Sequence, residues 1–319
     1  MVVVCGEGLI DMVPARCGSG QGYVARPGGS PLNVAIGLAR LDVPVAFLGR
    51  LSRDRFGRRL VQHLRDNAVQ LRYLSDGPEV STLAFVDNEP GQEAQYIFYS
   101  ENSADRNLLP GDLPDSFEDD VTAIHFGSIS LMVEPSASTL EQCMRREHGA
   151  RLITLDPNVR AQLIPDHDSY RRRLEGWVRL SDLVKVSRAD LEWLYPAHAL
   201  DQVAQLWLGL GAGVVLVTLG VDGAVAFGPG ATANQPAFRV HVVDTVGAGD
   251  AFTAGALAWL HHASLLERRA LNGMRAGELN ALLSYANEVS ALTCTRAGAD
   301  PPDVHELSKL RREGGGFAT

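Results

Sequence analysis

The chain has 319 residues, of which 45% are hydrophobic and 21% are charged, which suits one large α/β domain with a small appendage. Its formal net charge of −9 excludes the basic surface that nucleic acid or an anionic membrane would require. Its four cysteines form neither a CxxC pair nor a zinc spacing, and no apolar run reaches the ~18 residues of a membrane span. Because no basic segment opens the chain as in a secretion signal, we expect a cytoplasmic protein.

The pattern of apolar residues predicts two kinds of β-structure. Residues 2–5 are an unbroken apolar run, typical of a strand that is covered on both faces. Residues 12–27 and 80–100 carry short alternating runs, which predict exposed antiparallel strands. We therefore expect a small β lid at 12–27 and 80–100 that interrupts an α/β core at 1–11, 28–79 and 101–312. The Gly-rich residues 313–319 are predicted to be a disordered tail.

Beyond the first lid segment, strand and helix patterns alternate along the chain. This alternation predicts a parallel sheet with helices on both faces. Strands are predicted at 45–48, 124–126, 151–155, 183–186, 214–219 and 238–243, and helices at 30–41, 55–67, 135–148, 201–210, 248–262 and 277–295.

The first candidate site residue, Asp11, closes the run Gly6-Glu7-Gly8-Leu9-Ile10-Asp11 after the first strand. It stands where a dinucleotide fingerprint needs its third glycine, so dinucleotide binding is not expected. At the carboxyl end of a central strand, this carboxylate would point into the ligand crevice and suit paired sugar hydroxyls. The alternative is an ordinary turn aspartate.

The next segment, Gly28-Gly29-Ser30-Pro31-Leu32-Asn33, combines two glycines with a helix start. Gly28 and Gly29 would let the backbone approach a small ligand closely. Asn33, in the first helical turn, offers both a donor and an acceptor to a polyol. As structure alone, the segment is a good helix start, with Ser30 as the cap and Pro31 in the first position.

Two further segments follow predicted strands. In Asp156-Pro157-Asn158-Val159-Arg160, the arginine could hold a substrate oxygen or a phosphate, and it could equally be an unpaired surface residue. Thr218 to Gly223 ends a strongly apolar strand and, as structure alone, reads as a hairpin turn.

The most informative segment is Asp244-Thr245-Val246-Gly247-Ala248-Gly249-Asp250, between a predicted strand and an apolar helix. Gly247 and Gly249 allow backbone N–H groups to converge, and the new helix directs its positive dipole end to the same point. Asp250 adds a carboxylate there. An anion cradle beside a carboxylate suits phosphoryl transfer to a hydroxyl group, although Asp250 could instead only cap its helix.

Segments 27–35 and 244–250 resemble the two signatures of the ribokinase-like sugar kinases, the PfkB carbohydrate kinase family. Segments 49–57, 156–160, 185–190 and 218–223 agree with that resemblance, in order along the chain. It implies a ribokinase-like α/β fold: a doubly wound, mainly parallel sheet with helices on both faces and a small β-sheet lid. It also implies transfer of the γ-phosphoryl group of ATP to a primary hydroxyl of a sugar. Asp250 would be the general base, and the N–H groups of Gly247, Ala248 and Gly249 would form the anion hole.

The resemblance also implies the binding residues. The sugar would be bound by Asp11, Gly28, Gly29, Asn33, Phe98, Arg160 and Asp250. The nucleotide would be bound by Lys185, Ser187, Thr218, Gly220, Gly223, Gly249 and Asn287, and Mg²⁺ would accompany ATP. Asp190, which stands where many family members have Glu, would organise Mg²⁺ through water, while Asp244 and Thr245 would hold a monovalent cation such as K⁺.

The identity of the sugar is predicted from Ser100. Kinases of fructose and of 2-keto-3-deoxygluconate usually have Arg at this position, and its loss removes a partner for a substrate carboxylate. Fructose is therefore predicted first, the acid sugar second and a ribosyl nucleoside third, although Arg160, Arg26 or Arg106 could replace the missing arginine. An inactive sugar- or nucleotide-binding protein stays open, because a fold does not determine function. Exposed strand edges in the lid predict a homodimer.

Overall fold

The computed structural model describes residues 1–17, 20–87 and 95–312. Within them the strands are β1 Val2–Cys5, β2 Leu9–Cys17, β3 Gly20–Gly28, β4 Val45–Ser52, β5 Gln70–Gly77, β6 Leu83–Asp87, β7 Gln95–Tyr99, β8 Ala123–Gly127, β9 Leu152–Asp156, β10 Leu183–Ser187, β11 Val214–Thr218, β12 Ala224–Phe227 and β13 Thr232–Gln235. The α-helices are α1 Ser30–Arg40, α2 Arg55–Asp66, α3 Ser136–Glu147, α4 His167–Leu180, α5 Arg188–Leu194, α6 Leu200–Leu210, α7 Ala248–His262, α8 Arg268–Asn272, α9 Ala276–Cys294 and α10 Val304–Arg312. The predicted disordered tail, 313–319, lies outside the described residues.

The large sheet has the order β13-β12-β11-β10-β9-β8-β1-β4-β5 in the described chain. All its neighbours pair in parallel except β11–β12 and β12–β13, which are antiparallel. The apolar run of β1 is covered on both faces, as predicted. Val2 and Val4 belong to the core under α1, α7 and α9, whereas Val3 and Cys5 belong to the core under α3, α4 and α6. The predicted doubly wound architecture follows from this alternation.

The small sheet has the order β3-β2-β6-β7 and contains both predicted lid segments, with its first strand beginning at Leu9. The expectation of purely antiparallel pairing is wrong for one pair, because β2 and β6 run parallel. The register places Asp11, Ala84 and Phe98 side by side on one face. Met12, Phe85 and Ile97 therefore share the opposite face, since successive side chains of a strand alternate.

The predicted strand at 238–243 is absent from the structure, in which the segment after β13 has no strand partner. Instead, the N–H groups of Val243 and Asp244 both reach the carbonyl of Cys294 at the end of α9. The alternating pattern was misleading because β13 already ends the sheet, and Val242 and Val243 remain exposed. Separately, the described helices include none with the length and apolar character needed to span a membrane.

Candidate active site

The centre of the site is the start of α7. Gly247 caps this helix in a left-handed conformation with φ +78°, and a Cβ added there would lie 2.7 Å from Ala299 Cα. A glycine is therefore needed both for the turn and for the close approach. The N–H groups of the first helical turn have no partners within the helix, so they and the helix dipole favour an anion here. One of them, on Ala248, lies 3.2 Å from the carbonyl of Thr245.

Asp250 lies in this first turn and is buried. Ser30 Oγ donates to its Oδ1 at 2.6 Å, and Asn33 Nδ2 donates to its Oδ2 at 2.8 Å. Burial raises the pKa of Asp250, the hydrogen bonds from Ser30 and Asn33 lower it, and the net shift is upward. This carboxylate is held by side chains of another helix, so it does more than cap its own.

The expectation that Ser30 caps α1 is wrong. The N-cap of α1 is Gly29, with φ +103°, and Ser30 is the first helical residue. The hydroxyl of Ser30 is therefore free of the capping role and reaches Asp250 instead. The backbone of Gly29 is tightly enclosed, because an added Cβ would lie 2.9 Å from the carbonyl oxygen of Glu7.

A pocket of about 210 Å³ opens in front of Asp250. Most predicted sugar-binding residues line it, namely Asp11, Gly29, Asn33, Phe98, Arg160 and Asp250. Gly28 lies just behind, where any side chain would collide with the carboxylate of Asp11. The structure also brings in residues that were not predicted to bind the sugar, including Glu7, Ser30, Tyr96, Ser128, Ile129 and Asn158.

Asp11 reaches this pocket from a different element than expected. It lies in β2 of the small sheet, on the face that Phe98 shares, and not at the carboxyl end of a strand of the large sheet. The pKa of Asp11 is raised to about 7, because burial and, to a smaller extent, the nearby charge of Asp250 raise it more than Arg160 lowers it. The pocket is thus lined by the carboxyl groups of Asp11 and Asp250, in addition to that of Glu7.

Arg160 is the cation of the pocket. Its Nη1 donates to oxygens of its own loop, including Asn158 Oδ1 at 2.8 Å, and its guanidinium lies 5.6 Å from the ring centre of Tyr96. Tyr96 in turn stacks on Phe98, with the ring centres 6.0 Å apart. Alternation along β7 could have identified Tyr96, because Phe98 was already predicted to bind the sugar and the two share a face.

A buried ion pair lies behind the glycine turn. Lys185 Nζ is 2.9 Å from Asp156 Oδ2, and both side chains are almost completely inaccessible. An added Cβ on Gly249 would lie 3.1 Å from the same Nζ, so the ammonium group sits directly under the helix start. Burial lowers the pKa of Lys185, but Asp156, Asp190 and Asp250 raise it, and the net shift is upward. Lys185 therefore supplies positive charge beneath the predicted anion hole.

The other predicted nucleotide-binding residues are brought to the edge of the sheet where β10 and β11 end. Ser187 and Thr218 are paired neighbours there, and the predicted hairpin turn follows, with Gly220 and Gly223 at positive φ. Asn287, on α9, donates to the carbonyls of Gln235 and Pro236. None of these five residues is among those that line the 210 Å³ pocket in the described part of the chain.

The predicted cation residues have partners within the protein. Asp190 accepts from the N–H groups of Val159 and Ser187. Asp244 accepts from the N–H groups of Val246 at 3.1 Å and Gly298 at 2.7 Å. Among the described residues, no group of three or more His, Cys, Asp or Glu side chains is arranged to hold a metal ion. A cation would therefore need oxygens from water, from backbone carbonyls or from the nucleotide itself.

The fold and the pocket define a kinase of small hydroxylated acceptors, and comparisons with known proteins identify its family. The pfkB family carbohydrate kinase model matches residues 1–306. A fructokinase of Rhizobium leguminosarum bv. trifolii is 41% identical over 270 residues, covering 84% of this chain and 82% of the relative.

Two solved structures are similar to this chain over nearly its whole length. The fructokinase from Xylella fastidiosa with bound ATP gives a TM-score of 0.89 at 28% identity over 98% of each chain. The fructokinase from Vibrio cholerae O395 in fructose, ADP and calcium ion bound form gives 0.84 at 29% identity over 97% of each chain. The chain belongs to the pfkB family of carbohydrate kinases, which confirms the predicted family, the ribokinase-like fold and the phosphotransferase class.

Proposed function

We propose that this protein is an ATP-dependent fructokinase that converts fructose and ATP into fructose 6-phosphate and ADP. The observation that carries the proposal is the position of Asp250: a buried carboxylate in the first turn of α7 that faces a sugar-sized pocket and is held by Ser30 and Asn33. The fructokinase relatives, and the neighbours with ATP or with fructose and ADP bound, support both the nucleotide and the sugar.

In the proposed reaction Asp250 accepts the proton of the primary hydroxyl as its oxygen attacks the γ-phosphorus. The bond from that phosphorus to the bridging oxygen breaks, and ADP leaves with the electron pair. The N–H groups of Gly247, Ala248 and Gly249 stabilise the charge on the moving phosphoryl group. The raised pKa of Asp250 makes it a stronger base, while the nearby charge of Lys185 favours its ionised form.

The sugar is bound by Asp11, Gly28, Gly29, Asn33, Phe98 and Arg160. Asn33 donates to Asp250 through Nδ2, which leaves its Oδ1 to accept from a sugar hydroxyl. The small sheet, carrying Asp11 and Phe98, acts as the lid and excludes water that would otherwise hydrolyse ATP.

The nucleotide is proposed to bind along Ser187, Thr218, Gly220, Gly223, Gly249 and Asn287, while the buried Lys185 contributes its positive charge from beneath the start of α7. Mg²⁺ bound to ATP would neutralise phosphate charge, with Asp190 placed to hold its water shell. Asp190 fits this role better than direct ligation, because both its oxygens accept backbone N–H groups. Asp244 and Thr245 are proposed to hold K⁺ with nearby carbonyls, and replacing K⁺ with Na⁺ should then lower kcat.

Fructose is favoured over the acid sugar by the charge of the pocket. Its lining includes the carboxyl groups of Asp11 and Asp250 beside the guanidinium of Arg160. When ionised, these two carboxyl groups would repel a substrate carboxylate. The other two candidate arginines are engaged elsewhere. Arg26 Nη1 donates to the carbonyl of Ala297, and Arg106 Nε lies 3.4 Å from the carbonyl of Glu134.

The experiment is ADP release from Mg-ATP with fructose, 2-keto-3-deoxygluconate, ribose, adenosine, tagatose and glucose, each repeated with Asp250→Asn. We expect turnover of fructose and a loss of roughly 10²–10⁴-fold in kcat in the variant, with ATP binding preserved. If another acceptor is turned over in place of fructose, that acceptor is the substrate and the proposed sugar is wrong. ATP binding without turnover of any acceptor would instead support an inactive binding protein.

We further propose that the protein forms a homodimer through the small sheet, whose edge strands are β3 and β7. The face turned away from the pocket carries Tyr23, Phe85 and Tyr99 in edge-to-face contact, and Tyr99 is 62% exposed. Such an apolar face is typical of an interface. Sedimentation should give a dimer that Tyr99→Asp dissociates, and a monomeric native mass would contradict this.

We also propose that the protein acts in the cytoplasm, where ATP is supplied. The cysteines with described side chains, Cys5, Cys143 and Cys294, are free thiols, as expected in a reducing compartment. Fractionation of the source cells with an antibody against the chain tests this location.

A further inference from the structure

Glu7 is a buried acid with no part in the proposed reaction. It follows β1, precedes β2, and is only 1% exposed, yet it contributes to the lining of the sugar pocket. Glutamate is rarely buried so completely, because removing a carboxyl group from water is costly unless partners compensate. The partners of Glu7 therefore indicate what the residue is for.

Those partners belong to the turn that follows β8. Glu7 Oε2 lies 2.6 Å from Ser130 Oγ and accepts the N–H of Ser130 at 3.2 Å. The side chain of Ser128 also lowers the pKa of this carboxyl group. Ser128 has φ +61°, a left-handed conformation that costs a non-glycine residue about 1 kcal/mol or more and needs support from its surroundings.

The same turn forms one wall of the pocket, because Ser128 and Ile129 both line it. Ile129 is 3% exposed and packs with Leu9 and Ala84, so the turn also contacts the small sheet. Glu7 thus connects the end of β1 to a wall of the pocket, on elements that do not carry Asp250.

We infer that Glu7 is a positioning residue for the sugar: it holds the Ser128–Ser130 turn in its strained conformation and thereby sets the affinity of the pocket for the acceptor, without taking part in phosphoryl transfer. The inference rests on the proposed function for the identity of the acceptor. It predicts that changes at Glu7 alter KM for fructose and leave kcat and KM for ATP nearly unchanged.

The protonation of Glu7 should matter, because Ser130 Oγ has two acceptors and one proton. It lies 2.6 Å from Glu7 Oε2 and 2.9 Å from the carbonyl oxygen of Gly127. If Glu7 is neutral, its own O–H can donate to Ser130, whose hydroxyl is then free to donate to Gly127. If Glu7 is ionised, Ser130 must donate to it, and the carbonyl of Gly127 loses that partner.

The pKa of Glu7 is raised to about 7, because burial and the charge of Asp105 raise it more than the side chains of Ser130 and Ser128 lower it. The other charged groups that line the same pocket are Asp11, Asp250 and Arg160. Glu7 is therefore neutral below about pH 7, where Ser130 can donate to the carbonyl of Gly127. Above about pH 7 Glu7 is ionised, and this hydrogen bond is lost.

The experiment measures kcat and both KM values of the native chain, Glu7→Ala, Glu7→Gln and Ser130→Ala between pH 6 and pH 8.5. Glu7→Ala and Ser130→Ala should raise KM for fructose about tenfold, the equivalent of one lost buried hydrogen bond. Glu7→Gln should keep KM near that of the native chain at pH 6, because its amide can donate to Ser130 Oγ, as the neutral carboxyl group does, and can accept from the N–H of Ser130. Because glutamine does not titrate, Glu7→Gln should also lack the increase in KM above pH 7 that the ionisation of Glu7 causes in the native chain.

Asp105→Asn is the matched control. Asp105 is also buried, with a raised pKa and a 2.7 Å hydrogen bond from Thr82, but it does not line the pocket. Its replacement should leave KM for fructose at pH 6 unchanged, and it should at most move the pH profile to lower pH, because the charge of Asp105 raises the pKa of Glu7.

Three results would overturn the inference: an unchanged KM in Ser130→Ala, a loss of kcat that matches or exceeds the change in KM, or a pH profile in Glu7→Gln equal to that of the native chain. If Glu7→Ala does not fold, the results for Glu7→Gln and Ser130→Ala are sufficient to test the inference. A native chain that turns over no fructose would count against the proposed function, whereas native turnover with unaltered variants would count against Glu7 alone.

Discussion

Replacing Lys185 with methionine should strongly destabilise the protein. The change keeps the length of the side chain but removes the ammonium group that lies 2.9 Å from Asp156 Oδ2. Asp156 is completely buried, and its remaining partners are hydroxyl and N–H groups, such as Thr253 Oγ1 at 3.3 Å. The substitution should also raise the pKa of Asp250, since the charge of Lys185 lowers it in the native chain.

The magnitude follows from leaving a charge buried without its partner. Breaking one side of a buried ion pair costs about 3–5 kcal/mol, a large part of the ~5–15 kcal/mol that stabilises a typical domain. Asp156→Asn should cost a similar amount, because it leaves Lys185 charged and buried. The double variant should cost clearly less than the sum of the two, because neither charge then remains. The loss in Lys185→Met should also be smaller at pH 5 than at pH 8, because an unpaired carboxylate can take up a proton.

Urea unfolding at pH 5 and pH 8, followed by circular dichroism, measures these differences. The control is Lys309→Met, because Lys309 is the only other lysine of the sequence and is exposed in α10. We expect a change of no more than about 0.5 kcal/mol there. A cost below about 1 kcal/mol for Lys185→Met, or full additivity in the double variant, would refute the reasoning that the pair is a buried, coupled unit.

Two further predictions concern the turn and a buried histidine. Gly247→Ala, which forces φ +78° on a residue whose Cβ would lie 2.7 Å from Ala299 Cα, should lower kcat at least about tenfold in the ADP-release assay. Gly277→Ala, with nothing within 4 Å of the added Cβ, should be nearly neutral, and equal effects would contradict the argument. Burial lowers the pKa of His125 to about 4 from 6.5, so the stability it contributes is present above pH 6.5 and is lost as the pH falls toward 4. Relative to His125→Asn, the native chain should lose about 2 kcal/mol of unfolding free energy between pH 7 and pH 5, and a pH-independent difference would argue against this.

The elements with a strong local pattern could be predicted from the sequence. Helix α7 has the predicted bounds, 248–262, because the glycine turn and the run of small apolar residues both specify its start. The prediction of a strand at 238–243 was wrong, because an alternating pattern shows only that a segment could be half-buried. Whether a neighbouring strand is available depends on where the sheet ends, and β13 already forms that edge.

The candidate site was predictable where glycines or family motifs mark it, as at Gly29, Asn33 and Asp250. Glu7 stands between two glycines, but its type is usually exposed, so nothing in the sequence predicts that it is buried. The pair of Lys185 with Asp156 was missed for a different reason. The residues are 29 positions apart and meet because β9 and β10 are neighbours in the sheet, a fact of topology and not of local pattern.

The strands of the small sheet present ligand-facing and outward-facing residues in strict alternation, and this has a consequence for how the chain can change. Substitutions of exposed residues on the outer face, such as Ile97, leave the position of Asp11 unaltered. Loss or gain of a single residue between Leu9 and Asp11 would rotate the rest of the strand by half a turn, directing Met12 to the sugar and Asp11 to the outside. Homologous chains should therefore accept more changes of residue type on the exposed outer face, away from the proposed dimer contacts, than changes in length between β1 and Asp11.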